Sequence, residues 1–127
     1  EYAPAGFHGM QSWITQQATD MLRGDVTVKG GITPLMKITH LAEAFGMRCE
    51  IHHGGNALAN IANLNVTMAI SNCKYYEVIV NEPAYEFGVK SIPAVDERGM
   101  IHAPQMPGIG APIDFDMLDN HTESIVD

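Results

Sequence analysis

Two residues in the first half of the chain are placed to do chemistry together. Asp25 ends one short stretch and His52 ends another, with a glycine loop and one helix-length segment between them. Parallel strands joined by a crossover helix have their C-terminal ends side by side, so the two side chains are expected at one rim. A carboxylate against an imidazole fixes the ring's tautomer, raises its basicity and aims it. Asp25 and His52 are therefore a candidate acid–base dyad, expected to share a hydrogen bond. Glu77, near the end of a third stretch, is a candidate acid at the same rim. Each has a plainer alternative: Asp25 as a cap on the glycine loop, His52 as a satisfied buried histidine, Glu77 as a solvated rim residue.

The elements that must position these groups follow from local pattern. Residues 1–6 have turn chemistry, with Pro4 and Gly6. Phe7, Met10, Trp13, Ile14 and Ala18 recur at near-helical spacing, which predicts an amphipathic helix over 7–18. A short strand is expected over 20–25, then a loop over 26–32 that turns at Gly30-Gly31. Thr33-Pro34 reads as a hydroxyl N-cap and a first-turn proline, and Gly46 as the residue just past that helix. Over 47–52 a period of two puts Met47, Cys49 and Ile51 on one face and Arg48, Glu50 and His52 on the other. A second glycine loop, 53–56, leads to a helix over 57–68 and a third strand over 72–79. Beyond residue 80 five prolines cut the chain into short pieces. A hairpin is expected around 96–99, and 118–127 read as polar and frayed. The chain thus holds consecutive strand–loop–helix units, the rhythm of a (β/α) barrel or another parallel α/β sheet. Residues 1–80 would be strand–helix units and 81–127 a tail and hairpin packed on them. Three strands do not close a barrel, so further strands are expected from elsewhere.

Composition narrows the partners. The chain has 127 residues, 46% of them hydrophobic, enough for one domain with a real core. A net charge of −8 argues against nucleic acid or an anionic membrane. Cys49 and Cys73 sit in apolar runs without a CxxC, so both are expected buried and unbridged in a cytoplasmic compartment. Two glycosylation-type triplets, at Asn65 and Asn120, are read as chance. No apolar run reaches the roughly 18 residues of a membrane span. The opening at Glu1-Tyr2 suggests a piece of a longer polypeptide. His53 invites a His-His metal site with His52, but neighbouring strand residues point to opposite faces. His8, His40, His102 and His121 read as surface or helix residues. Lys29 stands beside Gly30-Gly31 without the rest of a phosphate loop, and Tyr75-Tyr76 read as strand packing.

The run D-V-T-x-x-G-G-I-T at residues 25–33, followed by a helix, a strand and a strand-end histidine, resembles the enolase superfamily, specifically the mandelate racemase subgroup with its acid-sugar dehydratases. The later segments agree: Val89-Lys90 to Val95, Gly99-Met100-Ile101, Pro107-Gly108-Ile109-Gly110 and Ile113-Asp114. The resemblance implies the C-terminal portion of a (β/α)₇β TIM-like barrel, with a tail returning to a capping domain that lies outside this chain. It implies that Asp25 and His52 match the dyad at the ends of the sixth and seventh strands, and Glu77 the acid ending the eighth. It implies that Glu1 matches the last of three carboxylate ligands for Mg²⁺, the other two lying upstream. The expected activity is abstraction of the proton alpha to a carboxylate through an enediolate, leading to dehydration of a sugar acid. On this reading His52 takes or returns the proton, or protonates a leaving β-hydroxyl. Asp25 orients it, and a protonated Glu77 donates to the enediolate. The alternatives are a racemase or epimerase of a 2-hydroxy acid and a non-catalytic barrel fragment. The expected partners are the rest of the barrel, the capping domain and further copies in a homo-oligomer.

Overall fold

The computed structural model describes residues 6–79 and 83–124. The first helix, α1 (Gly6–Thr15), buries Met10 and Ile14. It stops short of the expected Ala18. Gln17 takes a left-handed φ of 51°, Gln17 N–H donates to Ile14 O and Ala18 N–H to Trp13 O. This is the two-bond C-terminal cap that glycine usually closes, here closed by a glutamine, so no glycine marked the end.

Strand β1 (Met21–Gly24) pairs in parallel with β2 (Arg48–Ile51), with Leu22 opposite Cys49 and Gly24 opposite Ile51. Helix α2 (Ile32–Ala44) connects them. It begins earlier than the Thr33 cap predicted. Gly31 is the cap residue, at φ 113° and ψ −179°, a conformation open to glycine alone, and no side chain caps the helix. Pro34 then falls in the first turn, where its missing N–H is not needed. The other end agrees with expectation: Gly46 stands just past the helix at φ 68°, its N–H donating to Glu43 O and that of Met47 to Ala42 O.

Helix α3 (Ala57–Ala69) starts at Asn56, whose side chain accepts from Ala59 N–H at 3.0 Å. The core lies between the strands and the helices: Leu22, Leu35, Ile38, Ala42, Cys49, Ile51, Ala62 and Val66 are all buried, with Met10 and Ile14 joining from α1. The alternation predicted for β2 holds, with Cys49 and Ile51 inside and Arg48 and Glu50 on the more open face.

The third strand expected over 72–79 is not formed. Cys49 N–H donates to Asn72 O at 3.0 Å, the one main-chain bond recorded from β2 to this segment. Beyond it the Glu50 carboxylate takes the N–H groups of Lys74 and Tyr75, and the Glu77 carboxylate takes that of His53. Side-chain acceptors thus stand where ladder carbonyls would be. Farther on, a 3₁₀ turn (Pro83–Glu86) precedes two single bridges, Val89 with Ile113 and Val95 with Ile101. The second closes the expected hairpin: Asp96 N–H donates to Met100 O, while the Asp96 carboxylate accepts from the main chain of Arg98 and Met100. Val89, Ala57 and Ile61 form a second core with Ile109 beside it, so the tail packs on α3. Helix α4 (Phe115–Asn120), capped by the Asp114 carboxylate on Met117 N–H at 3.0 Å, runs three residues into the stretch 118–127 expected to fray. Cys49 is buried, Cys73 half-buried, and both are free thiols.

Candidate active site

Glu77 is the hub of a cluster at the C-terminal ends of β1 and β2. Arg23, one residue before the end of β1, donates through Nη2 to Glu77 Oε1 at 2.7 Å and Oε2 at 2.8 Å. The His52 ring follows β2 on the same face as Glu50, and its Nδ1 lies 2.8 Å from Glu77 Oε2 and 2.5 Å from Arg23 Nη2. The main-chain N–H of His53 donates to the same Oε2 at 3.0 Å. Burial pushes the Glu77 carboxyl up, but the His53 N–H, Arg23 and His52 outweigh it and hold the group below the usual glutamate range. Deeper on the same face, Arg48 pairs with Glu50 and lies 5.5 Å over the Tyr75 ring.

The expected Asp25–His52 hydrogen bond is not made. Asp25 is 1% exposed, and its Oδ1 accepts from Thr27 N–H at 2.6 Å and from the Thr27 hydroxyl. That is the work of a loop cap. The carboxylate turns toward its own loop because β1 ends at Gly24 and the ladder does not carry Asp25 forward. Instead Val26 N–H donates to the buried Asn63 side chain of α3 at 2.9 Å. His52 meets Glu77 and Arg23 instead, and a Cβ on Gly54 would collide with its Nε2, so this ring position requires glycine there. Glu1 lies outside the described residues. Among the described residues no three of His, Cys, Asp and Glu come together as a metal site.

His53 is the residue that sequence reasoning set aside. It is 1% exposed and its ring tilts against Tyr76 with centroids 4.1 Å apart. Its Nδ1 lies 3.1 Å from Ile51 O. A carbonyl only accepts, so Nδ1 carries the proton and Nε2 carries the lone pair. Nε2 is buried with no partner among the described residues, and the ring lines a cavity of about 50 Å³ with Asn60, Tyr76, Glu77 and Tyr85. Burial pushes the imidazole down to about 4, while the Ile51 carbonyl, Glu77 and Asp25 pull it the other way. A signal was there to find. Cys49, Ile51 and His53 continue one buried register, and an ionisable residue at a core-facing position is a functional candidate.

Residues 3–117 match the model of the enolase C-terminal domain-like family. The chain belongs to that family. A D-galactonate dehydratase family member from Paenibacillus sp. (strain JDR-2) is 32% identical over 117 residues, covering 85% of this chain. The D-glucarate dehydratase of Agrobacterium tumefaciens, solved in complex with magnesium, superposes at a TM-score of 0.78 with 39% identity over 91% of this chain. A mandelate racemase/muconate lactonizing enzyme from Jannaschia sp. CCS1 superposes at 0.79 with 25% identity over 97% of it. The chain spans 28% of the curated relative's length, and 30% and 31% of those two structures. Among the described residues no helix is long and apolar enough to cross a membrane.

Proposed function

We propose that this chain supplies the imidazole side of a site that removes the proton alpha to a carboxylate, in an enzyme that dehydrates a sugar acid. The observation that carries the reading is the buried His53 ring, with Nδ1–H committed to the Ile51 carbonyl, Nε2 bare, and Asp25 and Glu77 close enough to favour its charged form. Such a ring is neutral at neutral pH and has its lone pair ready. In the step it would perform, the α-C–H bond breaks, the proton goes to Nε2, and the electron pair moves into the carboxylate to give an enediolate. The β-C–O bond then breaks, and the hydroxyl leaves as water with a returned proton. The enol left behind rearranges to a 2-keto acid. Asp25 orders the loop beside the ring through Thr27, and Glu77 fixes the His53 main chain. His52, the first candidate, remains the alternative acid or base, with Nδ1 already engaged by Glu77 and Arg23.

Support for the substrate class comes from the relatives, among them dehydratases of D-galactonate-type and D-glucarate acids. Support for Mg²⁺ comes from the resemblance and from the magnesium-complexed relative. A partial barrel is supported by the share of each relative that the chain spans.

The test uses the native full-length protein with a panel of sugar acids. His53→Asn is expected to lower turnover by roughly 10²–10⁴, the usual loss for a positioned acid or base, and to abolish solvent-deuterium exchange at the α-carbon. His52→Asn is expected to keep that exchange. Exchange lost in His52→Asn and kept in His53→Asn would return the base role to His52. Exchange with no loss of hydroxyl, on any acid in the panel, would favour the racemase or epimerase.

A further inference from the structure

The sequence offered no role for Arg23, and the proposed chemistry leaves it unused. Its side chain leaves β1 on the face shared with Glu50, His52 and Glu77, and with Glu50, Tyr75 and Glu77 it lines a cavity of about 220 Å³. Three features of its surroundings stand out. First, among the described residues every partner of the Glu77 carboxylate can donate. Oε2 receives the Arg23 Nη2–H and the His53 N–H and faces His52 Nδ1, and Oε1 receives Arg23. A carboxylate surrounded in this way can take a proton only by giving up those bonds. Second, His52 Nδ1 is bracketed by a group that only donates, Arg23, and a group that only accepts, Glu77. With a proton on Nδ1 the ring donates to Glu77. Without it, the ring accepts from Arg23. Third, Arg23 Nη2 bridges both oxygens of Glu77, which fixes the carboxylate's plane as well as its place.

We propose that Arg23 is a positioning residue, which anchors Glu77 as an anion between the ring of His52 and the main chain of His53. Glu77 on this view is an acceptor that orders both strand-end histidines, and not the protonated donor to an enediolate that the resemblance implied. Arg23 also gives His52 Nδ1 a partner whether that atom donates or accepts. This deepens the function proposed above and rests on it for the purpose of the site.

Among the described residues the groups that face Glu77 are Arg23 from β1, Glu50 from β2, and His52 and His53 just past the end of β2, so the test reads the carboxylate itself. In the native full-length protein with ¹³C-labelled glutamate carboxyls and ¹⁵N-labelled histidines, Glu77→Gln identifies the Glu77 resonance. Wild-type Glu77 is expected to titrate below the ordinary glutamate value of about 4.3. Arg23→Gln should raise its midpoint by about one unit or more, as loss of an adjacent opposite charge does. It should also shift the His52 Nδ1 resonance while leaving that of His102, which pairs with Asp96, unmoved. Arg23→Lys keeps a charge on a side chain one atom shorter, and should restore the midpoint part-way. An unchanged Glu77 midpoint in a folded Arg23→Gln protein overturns the role. If that variant does not fold, an unchanged midpoint in a folded Arg23→Met protein overturns it equally. A protein that shows these shifts but dehydrates no acid keeps Arg23's role and loses the proposed function. Full turnover with an unmoved midpoint does the reverse.

Discussion

His53 carries a pH dependence whose sign can be worked out. Its folded value of about 4 lies below the ordinary 6.5. As pH falls through 6.5 the unfolded chain takes a proton that the folded one refuses until about 4. Stability from this residue is therefore complete above about 6.5 and declines between 6.5 and 4, by on the order of 3 kcal/mol at most. His53→Gln, which cannot take the proton, is expected to flatten that slope in urea titrations run across the window. Glu77 acts in a different range. Its value is lowered, so its contribution is present above the ordinary glutamate value and is lost only as pH falls through the lower folded one. A slope between 6.5 and 4 that survives His53→Gln would assign it to another group. At Cys49, burial first and then Cys73 and Glu50 push the thiol up to about 12. Cys49 is expected to resist a thiol reagent at pH 8 until the protein unfolds, with Cys73 the earlier of the two to react.

At the scale of elements, two places bind the β1–α2–β2 unit and its neighbour tightly. A Cβ on Gly24 would sit 2.5 Å from Leu35 Cδ1, inside contact distance, where α2 crosses the end of β1. Gly24→Ala should cost about 1–3 kcal/mol, the usual penalty for overpacking, measured as a fall in denaturation midpoint. Asn56 caps α3 through Ala59 N–H, and Asn56→Ala should cost about 1 kcal/mol. These two elements were readable because their signals are local: periodic apolar residues and, for α2, a glycine past the end. The third strand was not. Its apolar residues suit a strand, but a strand exists only where its ladder finds a partner, and here the carboxylates of Glu50 and Glu77 take the main-chain donors. The end of α1 escaped notice for the opposite reason. Gln17 does what the pattern rules assign to glycine.

Across the whole molecule, α3 joins the strand–helix units to the tail. Ile61 is fully buried with Ala57 and Val89, and Asn65 Nδ2 donates to Ile109 O at 2.9 Å. Ile61→Ala is expected to cost about 2–5 kcal/mol and to open the segment around residues 88–113 to limited proteolysis before the rest. Cleavage elsewhere first would mean that the tail is held by other contacts.

Much of this protein could be determined from the order of its residues alone. The family follows from a run such as 25–33 and the spacing of the segments after it, and the match over residues 3–117 agrees. The alternation of β2, the glycine past the end of α2 and the hairpin at Asp96 depend on neighbours within a few positions, and those came out as read. Which side chains meet at the rim was decided only in three dimensions. Period two correctly placed His52 with Glu50 on the open face, yet that put it against Glu77 and Arg23, and left Asp25 to Thr27. The same alternation placed His53 on the buried face, where packing against Tyr76 and loss of water set its chemistry. Backbone pattern assigns a side chain to a face. Only the packed structure sets which donor lies within 3 Å of which acceptor, and how much water stands between them.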